Sequence, residues 1–331
     1  MIERLKIEER EKEILSPSGF KSVNSRGRKD REEPCILRTC FQRDRDRIIH
    51  SKVFRRLMHK TQVFLAPDGD HYRTRLTHTI EVAQVSRTIA RALGLNEDLT
   101  EAVALGHDLG HTPFGHNGEV ILNRIHSGGF KHNVQSLRVV DVLEFRGSKR
   151  GMNLTEEVRD GIVNHTGNGV PYTLEGQVVK ISDRIAYINH DIDDAIRSGI
   201  IKGESLPLGA RKVLGESRRM RIDTLIKDII SESDGKNVIR QGEEAQEALD
   251  DLRNFMFEKV YHNSNVKKAS DLNKVEKIIN TFYVYYSNHP EELPKESASL
   301  ISQFGVEESV KDYIAGMTDR YAVNLFRKKF S

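Results

Sequence analysis

The stretch LTEAVALGHDLGHTPFGHNGE, residues 99–119, decides both the fold and the chemistry of this chain. Its apolar first part predicts a buried helix, with His107 and Asp108 at the end of that helix. Burying an adjacent histidine and aspartate is costly unless they pair or bind a metal ion. Neighbouring helical residues diverge by about 100°, so both can face one ion only where the backbone turns. Gly110 supplies that turn.

Two residues outside this stretch complete a candidate metal site. His78 lies near the start of a helix predicted over 77–93, and Asp183 lies within an apolar helix predicted over 176–198. Isoleucines and valines surround Asp183, so we expect its carboxylate to be held by a partner rather than by free solvent. With His107 and Asp108, these residues give two imidazoles and two carboxylates. Such a set is typical of a six-coordinate divalent ion: Mn²⁺ or Mg²⁺ first, with Co²⁺, Ni²⁺ or Fe²⁺ as alternatives.

Helical periodicity runs through most of the remaining sequence and predicts an all-α protein. Apolar residues recur every three or four positions over 40–65, 97–109, 118–126, 133–145, 155–165, 218–232, 243–262, 270–287 and 306–330. Gly94 is predicted to follow the end of one helix, and Asn96 is predicted to be the N-cap of the next. We expect no β-structure larger than a small hairpin near 146–154 or 168–174.

The composition is that of a globular protein, with 37% hydrophobic and 31% charged residues among 331. The net charge of only +3 does not by itself indicate a nucleic-acid-binding protein. The charged N-terminal sequence has no signal-peptide core, and no run approaches the roughly 18 apolar residues that cross a bilayer. Cys35 and Cys40 are too few for a disulfide framework. We therefore expect a cytoplasmic protein with no membrane partner.

Long motifs in a fixed order carry a resemblance to a known family. They include RTRLTHTIEVAQVSRTIARALGL (73–95), ALGHDLGHTPFGHNGE (104–119), KISDRIAYINHDIDDA (180–195) and DYIAGMTDRYA (312–322). The H…HD…D pattern resembles the HD superfamily of metal-dependent phosphohydrolases. The complete set is similar to its deoxyguanosine triphosphate triphosphohydrolase family, over roughly residues 20–330. Charge pattern and helical periodicity predict a charged N-terminal arm over 1–36 and a helical extension over 201–331 packed on a core over 37–200, and the resemblance implies that this core is an HD domain.

The loop after His107 contains the predicted proton-transfer residues. His116 and Glu119 are three positions apart at the start of a predicted helix, so their side chains can meet. A carboxylate that holds one imidazole nitrogen raises the basicity of the other nitrogen. The resemblance assigns proton transfer to His116 backed by Glu119. It assigns phosphate contact to His111 and His132.

A further group of residues is predicted to bind the substrate. Arg75 lies three residues before His78, and its guanidinium suits a phosphate. Lys180 is a candidate for the outer phosphates. By the resemblance, Tyr187 and Asp191 contact the deoxyribose, where Tyr187 would exclude a 2′-hydroxyl, and Gln62 lies near the sugar. For the base, the stretch 312–322 offers candidates only.

The function implied by the resemblance is hydrolysis of deoxynucleoside triphosphates, dGTP among them, to deoxynucleoside and triphosphate, which would control the deoxynucleotide pools. One alternative is another HD-type nucleotidase or phosphodiesterase. A second alternative is a nucleic-acid-binding regulatory protein that retains a metal site, since runs such as RDRDR (43–47) supply basic surface. The family resemblance also implies a homo-oligomer, with a hexamer favoured. A nucleotide or single-stranded DNA is a candidate effector.

Overall fold

The computed structural model describes residues 3–62, 73–261 and 269–330, and these residues are mostly helical. The predicted all-α class is confirmed. Among the described residues, the strands longer than one residue form a single antiparallel hairpin, β1 Phe145–Arg146 and β2 Lys149–Arg150. Gly147 forms its turn with φ of +64°, a left-handed conformation that glycine adopts without steric cost. The hairpin lies at the first of the two places predicted for one.

The helices follow one another along the whole described chain. In order, they are α1 Arg4–Ile14, α2 Cys40–His50, α3 Lys52–Arg56, α4 Arg75–Ala92, α5 Glu97–Gly106, α6 Gly115–Ile125, α7 His132–Arg138, α8 Glu156–Asn164, α9 Leu174–Arg197, α10 Leu208–Leu214, α11 Arg218–Ser233, α12 Glu243–Met256, α13 Ala269–Asn288, α14 Lys295–Ala298, α15 Ile301–Phe304, α16 Val306–Ala315 and α17 Asp319–Phe330. Helices α7 and α12 each continue into a π-helical turn, at Val139–Leu143 and Phe257–Tyr261.

The chain forms two compact units, each assembled from stretches that are distant in sequence. The first unit takes residues 1–50, 78–107 and 153–266, and the second takes 51–77, 108–152 and 267–331. The chain therefore passes from the first unit to the second between His107 and Asp108. The sequence division at residues 36 and 200 stays a prediction.

Helix α5 forms the centre of the first unit and packs against α2, α8 and α9. Its residues from Leu99 to Gly106 are buried except Glu101, which explains the continuous apolar run before His107. The predicted start of this helix is confirmed: the Asn96 side chain accepts hydrogen bonds from the Asp98 and Leu99 amides, both at 3.1 Å. Gly94 has φ of +64° after the end of α4, as predicted. These two signals set the direction of α5 and therefore the position of His107.

The helix predicted over 40–65 is interrupted, contrary to the periodicity. Helix α2 ends at His50, and the Ser51 hydroxyl accepts a hydrogen bond from the Phe54 amide at 3.1 Å to begin α3. An N-cap serine interrupts a helix although the apolar spacing continues through it. The chain then tightens into a short 3₁₀ turn, Leu57–His59. The sequence PDGD, residues 67–70, predicts a turn, and these residues lie outside the described ones.

The charged N-terminal segment, predicted as an arm or a frayed segment, contains helix α1. The Glu11 carboxylate is buried and accepts hydrogen bonds from the Ser22 amide and hydroxyl, each at 2.7 Å. Asn96 also donates to Glu11 at 3.2 Å. These long-range contacts fix the segment, and composition does not predict them. In the part of the chain that the structure describes, no helix has both the length and the apolar character required to span a membrane.

Candidate metal centre and proton-transfer cluster

Four side chains of the first unit converge where the ends of α5 and α8 meet α4 and α9. His78 Nε2 lies 3.0 Å from Asp183 Oδ1, and His107 Nε2 lies 3.7 Å from the same oxygen. One ligand atom each from His107, His165 and Asp183 lie within 4.8 Å of one another. The three imidazoles are buried, whereas the Asp183 side chain keeps 20% of its surface exposed. The predicted residues His78, His107 and Asp183 are thus brought together, and His165 joins them.

Hydrogen bonds to the backbone orient two of these imidazoles. His107 Nδ1 lies 2.6 Å from the Ala104 carbonyl, and His165 Nδ1 lies 2.7 Å from the Ile162 carbonyl. Since a carbonyl oxygen only accepts, each Nδ1 carries the proton. In the neutral ring, Nε2 is then the atom with the free lone pair. Metal-binding histidines are commonly held in this way.

Asp183 is the anionic member of the group. Burial raises the pKa of its carboxyl. The hydrogen bond with His78 and the charges of His107 and His165 outweigh this effect and lower the pKa to about 2. Asp183 is therefore ionised near neutral pH. Together the four side chains offer three nitrogen ligands and a carboxylate, a set that fits a divalent first-row ion.

Nδ1 of His78, the ring nitrogen that does not face Asp183, is the first atom in a series of polar contacts. His78 Nδ1 lies 3.5 Å from His190 Nδ1, and His190 Nε2 lies 2.7 Å from a carboxylate oxygen of Glu81. The other Glu81 oxygen accepts from Arg218 at 2.9 Å. A carboxylate that accepts a hydrogen bond from one ring nitrogen of an imidazole increases the basicity of the ring as a metal ligand. The sequence analysis did not find this support, because His190 lies among several polar residues of α9.

Asp108 follows His107 directly in the chain and belongs to the second unit. Its carboxylate accepts a hydrogen bond from Arg75 Nη1 at 2.6 Å, and both side chains are buried. Arg75, predicted to bind phosphate, is thus paired with Asp108. The Gln62 carbonyl accepts a further hydrogen bond from Arg75 Nη2 at 3.4 Å.

The predicted proton-transfer residues form a cluster around Glu119 in the second unit. His132 Nδ1 lies 2.9 and 3.1 Å from the two Glu119 oxygens, and the His132 amide donates to Glu119 at 2.9 Å. His116 Nδ1 and His111 Nε2 lie 3.7 and 3.8 Å from Glu119 Oε2. The closest partner of Glu119 is therefore His132, whereas the sequence predicted His116. The His116 side chain is 74% exposed, which leaves it accessible to a substrate.

The cluster places two imidazoles with opposite pKa shifts in contact. The rings of His111 and His132 stack with centroids 4.8 Å apart. Burial, and then the charge of Arg75, lowers the pKa of His111 well below its usual value. Burial also lowers the pKa of His132, but Glu119 outweighs it and the net shift is upward. For Glu119, burial raises the pKa, yet the imidazoles of His116 and His132 hold it well below its usual range.

These shifts give the cluster an acid–base arrangement. His111 is neutral near pH 7, and the ionised Glu119 raises the pKa of the neighbouring His132, which favours the protonated form of that ring. Environments that drive neighbouring pKa values apart are a mark of acid–base sites.

Tyr187 and Asp191, the predicted sugar contacts, follow Asp183 on α9 at intervals of four residues, which places all three on one side of the helix. The hydroxyl of Tyr261 donates to the buried Asp191 carboxylate. Burial raises the pKa of the Tyr187 hydroxyl, partly offset by its contact with Arg253. Arg253 on α12 and Tyr261 in the π-helical turn after it were both missed by the sequence analysis. The only signal for them was helical periodicity, which does not distinguish a site residue from a core residue.

The two remaining candidates are held differently from the prediction. Lys180 Nζ donates to the backbone carbonyls of Gly167 and Gly169, the former at 2.8 Å, so it closes a loop instead of pointing freely at a ligand. Gln62 is partly buried, and its Oε1 has no hydrogen-bond partner among the described residues. Gln62 therefore keeps an acceptor available, while Lys180 would have to leave two carbonyls to reach a phosphate.

Two domain families match the chain, and they define its class. The HD domain family matches residues 75–188, and the phosphohydrolase-associated domain family matches residues 239–328. The first match begins at Arg75 and includes His78, His107, Asp108 and Asp183. An all-α chain with this domain and a histidine–carboxylate cluster is an HD-domain phosphohydrolase.

Curated relatives over nearly the full length narrow the class to a family. A deoxyguanosinetriphosphate triphosphohydrolase-like protein of Caldanaerobacter subterraneus subsp. tengcongensis is 57% identical, over 98% of this chain and 94% of that protein. Proteins with the same description from Desulfatibacillum aliphaticivorans and Clostridium tetani are 48% and 46% identical, over 99% and 98% of this chain and 97% and 95% of their own lengths. The chain belongs to this deoxyguanosinetriphosphate triphosphohydrolase-like family.

Proposed function

We propose that the protein hydrolyses deoxynucleoside triphosphates, dGTP among them, at the α-phosphorus, releasing the deoxynucleoside and inorganic triphosphate. The observation that carries the proposal is the pairing of two sites along one short stretch of chain. Residue 107 belongs to a group of imidazoles and a carboxylate suited to a metal, and residues 111–132 form an acid–base cluster. A metal-dependent phosphohydrolase whose leaving group needs a proton requires both kinds of site.

In this proposal His78, His107, Asp108 and Asp183 hold the ion. A divalent ion held there supplies Lewis acidity toward phosphate oxygens and lowers the pKa of a bound water. The protein fixes the donor atoms in advance: Nδ1 of His107 is tied to a backbone carbonyl, and Asp183 is ionised. Arg75 is already ordered by Asp108 and would exchange part of that pairing for a substrate phosphate, where its fork of donors fits two oxygens.

The Glu119 cluster would protonate the leaving group and stabilise the negative charge of the phosphates. The 5′-oxygen of a nucleoside is a poor leaving group as an alkoxide, and a positioned acid is worth roughly 10²–10⁴-fold in rate. His116, exposed and close to Glu119, would deliver that proton. His132, whose pKa is raised by Glu119, would offset the negative charge of the phosphates in its protonated form, and neutral His111 would donate a hydrogen bond to them.

Residues of α9 would bind the sugar. Asp191 would accept a hydrogen bond from the 3′-hydroxyl, and Tyr187 would pack against the ring and exclude a 2′-hydroxyl. The contact of Tyr261 with Asp191 and that of Arg253 with Tyr187 support this proposal, because both would hold the sugar-binding side chains in place.

The test is hydrolysis of the four deoxy- and four ribonucleoside triphosphates, alone and mixed, with Mn²⁺ or Mg²⁺. We expect triphosphate as the first phosphorus product by ³¹P NMR, with deoxy substrates preferred. Asp183→Asn should lower kcat by at least about 10³-fold, as loss of a metal ligand removes the Lewis acid. Asp193→Asn, on the same helix, is the matched control and should retain activity. Pyrophosphate or monophosphate as the only first product would place the bond cleavage elsewhere and favour another HD-type nucleotidase.

We propose further that the enzyme acts in the cytoplasm as a homo-oligomer, with a hexamer favoured, and that a nucleotide or a DNA strand is a candidate effector. The two cysteines are free thiols, which suits a reducing compartment. The mixed-substrate assay tests for a nucleotide effector, and light scattering measures the mass of the assembly.

A further inference from the structure

The second unit contains a cavity to which the proposed reaction gives no role. Its volume is about 420 Å³, and all of its lining residues lie within 51–77, 108–152 and 267–331. The histidines of the Glu119 cluster are not among them. The volume falls within the roughly 300–1,000 Å³ that is typical of small-molecule sites. The cavity is therefore large enough for a ligand of its own.

The apolar part of the wall is suited to a flat hydrophobic body. Its aliphatic side chains are at most 7% exposed and come from four different elements: Leu109, Val139, Leu300 and Met317. Aromatic rings from Phe145, Tyr313 and Tyr321 line the cavity as well, and Tyr321 is 47% exposed. An aromatic body would be buried against such a wall, whereas the polar edges of a nucleobase and a sugar would be costly to desolvate there.

Arg150, on strand β2, brings an ordered cation to the same cavity. Its Nη2 donates to the Glu296 carbonyl at 2.8 Å and to the Ser299 hydroxyl at 2.6 Å, and both acceptors are uncharged. Its guanidinium also lies over the Phe145 ring, 4.7 Å from the centroid. A guanidinium has five N–H donors, so Nε and Nη1 can bind both oxygens of an acid group.

The other charged residues of the wall leave the charge of Arg150 available. Three carboxylates line the cavity, and each already has a donor: Arg138 for Asp312 at 2.7 Å, the Val53 amide for Glu144 at 2.9 Å, and Lys52 for the exposed Glu296 at 3.8 Å. The exposed Arg56 adds a second guanidinium to the lining, and its acceptor is the Gly316 carbonyl at 3.4 Å. A ligand that carries one negative charge would complement this wall.

Two segments of the wall continue directly into the Glu119 cluster. Residues 109–110 line the cavity and immediately precede His111. Helix α7 begins at His132, and its Gln135 lines the cavity one turn later. A ligand that moves either segment would therefore move an imidazole of the cluster.

Lys60 ties a third segment of the wall to the same loop. Residues 315–318 line the cavity between α16 and α17. Lys60 Nζ donates to the Ala315 carbonyl at 2.9 Å and also to the His111 carbonyl. Because one buried ammonium holds both carbonyls, a shift of the segment 315–318 is transmitted to the backbone at His111.

We propose that this cavity is a regulatory site for a small aromatic acid. The aromatic body packs against the apolar wall, Arg150 binds the acid group, and Arg56 adds positive charge. Occupation of the cavity changes the environment of His111 and His132. The binding step does not depend on the proposed reaction, so it can be tested without hydrolysis.

The first experiment measures binding to the full-length protein by isothermal titration. The probe is naphthoate, and the uncharged naphthamide has the same rings. We expect naphthoate to bind at one site, with naphthamide and the variant Arg150→Met each weakening binding by roughly 10–100-fold. Lys149→Met, the exposed neighbour on the same strand, should bind naphthoate as the native protein does.

Equal affinity for naphthoate and naphthamide in the native protein would overturn the proposed ligand class, whether or not the variant folds. So would binding of dGMP, lost in Arg150→Met, by a protein that does not bind naphthoate. No binding of naphthoate by the native protein would overturn the site itself, as expected if another copy of the chain covers the cavity.

The second experiment measures the coupling by ¹⁵N NMR of the histidine rings. Saturating naphthoate should shift the ring signals of His111 and His132 in the native protein and in Lys149→Met, but not in Arg150→Met at the same concentration. The exposed His289 supplies the control signal and should not shift. Unchanged His111 and His132 signals at saturation would refute regulation through the cluster. A protein that binds naphthoate with these shifts but releases no triphosphate would retain the site and refute the proposed reaction instead.

Discussion

At the scale of single residues, backbone hydrogen bonds decide which nitrogen each imidazole offers. The Ala104 and Ile162 carbonyls fix the protons of His107 and His165 on Nδ1. In the second unit, a carboxylate has the equivalent role, since Glu119 raises the pKa of His132 while burial lowers the pKa of His111. Chemically identical side chains thus acquire different functions from their surroundings.

Lys60 shows the same principle and yields a pH-dependent prediction. Its side chain is buried, and Nζ donates to the carbonyls of His111 and Ala315, the latter at 2.9 Å. Burial, and then the charge of Arg56, lowers the pKa of Lys60 to about 7. The unfolded chain has an ordinary lysine pKa near 10.4. Between these values the unfolded state binds a proton that the folded state lacks, so the contribution of Lys60 to the free energy of unfolding rises with pH.

Lys60→Met should therefore remove a pH dependence of up to about 1.4 kcal/mol per pH unit between pH 7 and 9.5. The measurement is urea unfolding of both proteins across that range. Exposed Lys202 supplies the control Lys202→Met, which should follow the native protein. Parallel stability curves for the native protein and Lys60→Met would contradict the prediction.

At the scale of elements, the start of α17 holds the loop that contains the proton-transfer residues. One Asp319 oxygen accepts from the Thr61 amide and hydroxyl, at 3.1 and 2.7 Å, and the other accepts from the Phe114 amide at 2.9 Å. Phe114 has φ of +63°, a left-handed conformation that is unfavourable for a bulky residue. Asp319, which the sequence offered only as a candidate for base contact, thus fixes a strained turn just before His116.

Asp319→Ala should lower kcat by about 10-fold or more and the free energy of unfolding by about 1–3 kcal/mol. The reason is that the turn at Phe114 loses its anchor and His116 loses its fixed position. Asp319→Asn should have smaller effects on kcat and on the free energy of unfolding, since its one amide oxygen can still accept a hydrogen bond. The measurements are steady-state kinetics and urea unfolding, with the exposed Asp251→Ala as control. An unchanged kcat in Asp319→Ala would show that the turn does not position the catalytic loop.

At the scale of the whole molecule, the candidate ligands come from helices far apart in the sequence. His78 lies on α4, His107 and His165 follow α5 and α8, and Asp183 lies on α9. An ion bound to all of them requires the first unit to be folded. Metal binding should therefore add to the stability of that unit by mass action.

Mn²⁺ at about 100 times its Kd should raise the free energy of unfolding by about 2.7 kcal/mol. Thermal unfolding with Mn²⁺ and with EDTA measures this shift. Asp183→Asn should abolish it, whereas Asp193→Asn, which weakens an exposed pair with Arg197, should preserve it. A Tm that does not respond to Mn²⁺ in the native protein would contradict a metal centre that links these helices.

Local signals in the sequence predict the helical class and the buried helix before His107, because apolar period, capping residues and turn residues act locally. Residue types alone made His78, His107 and Asp183 candidate ligands. Helix packing brings these three side chains and His165 together, makes His132 the closest partner of Glu119 and places Asp319 where it anchors the turn at Phe114. Each of these contacts joins residues that are not neighbours on one helix. Their distances follow from how helices pack, which periodicity along the chain does not encode.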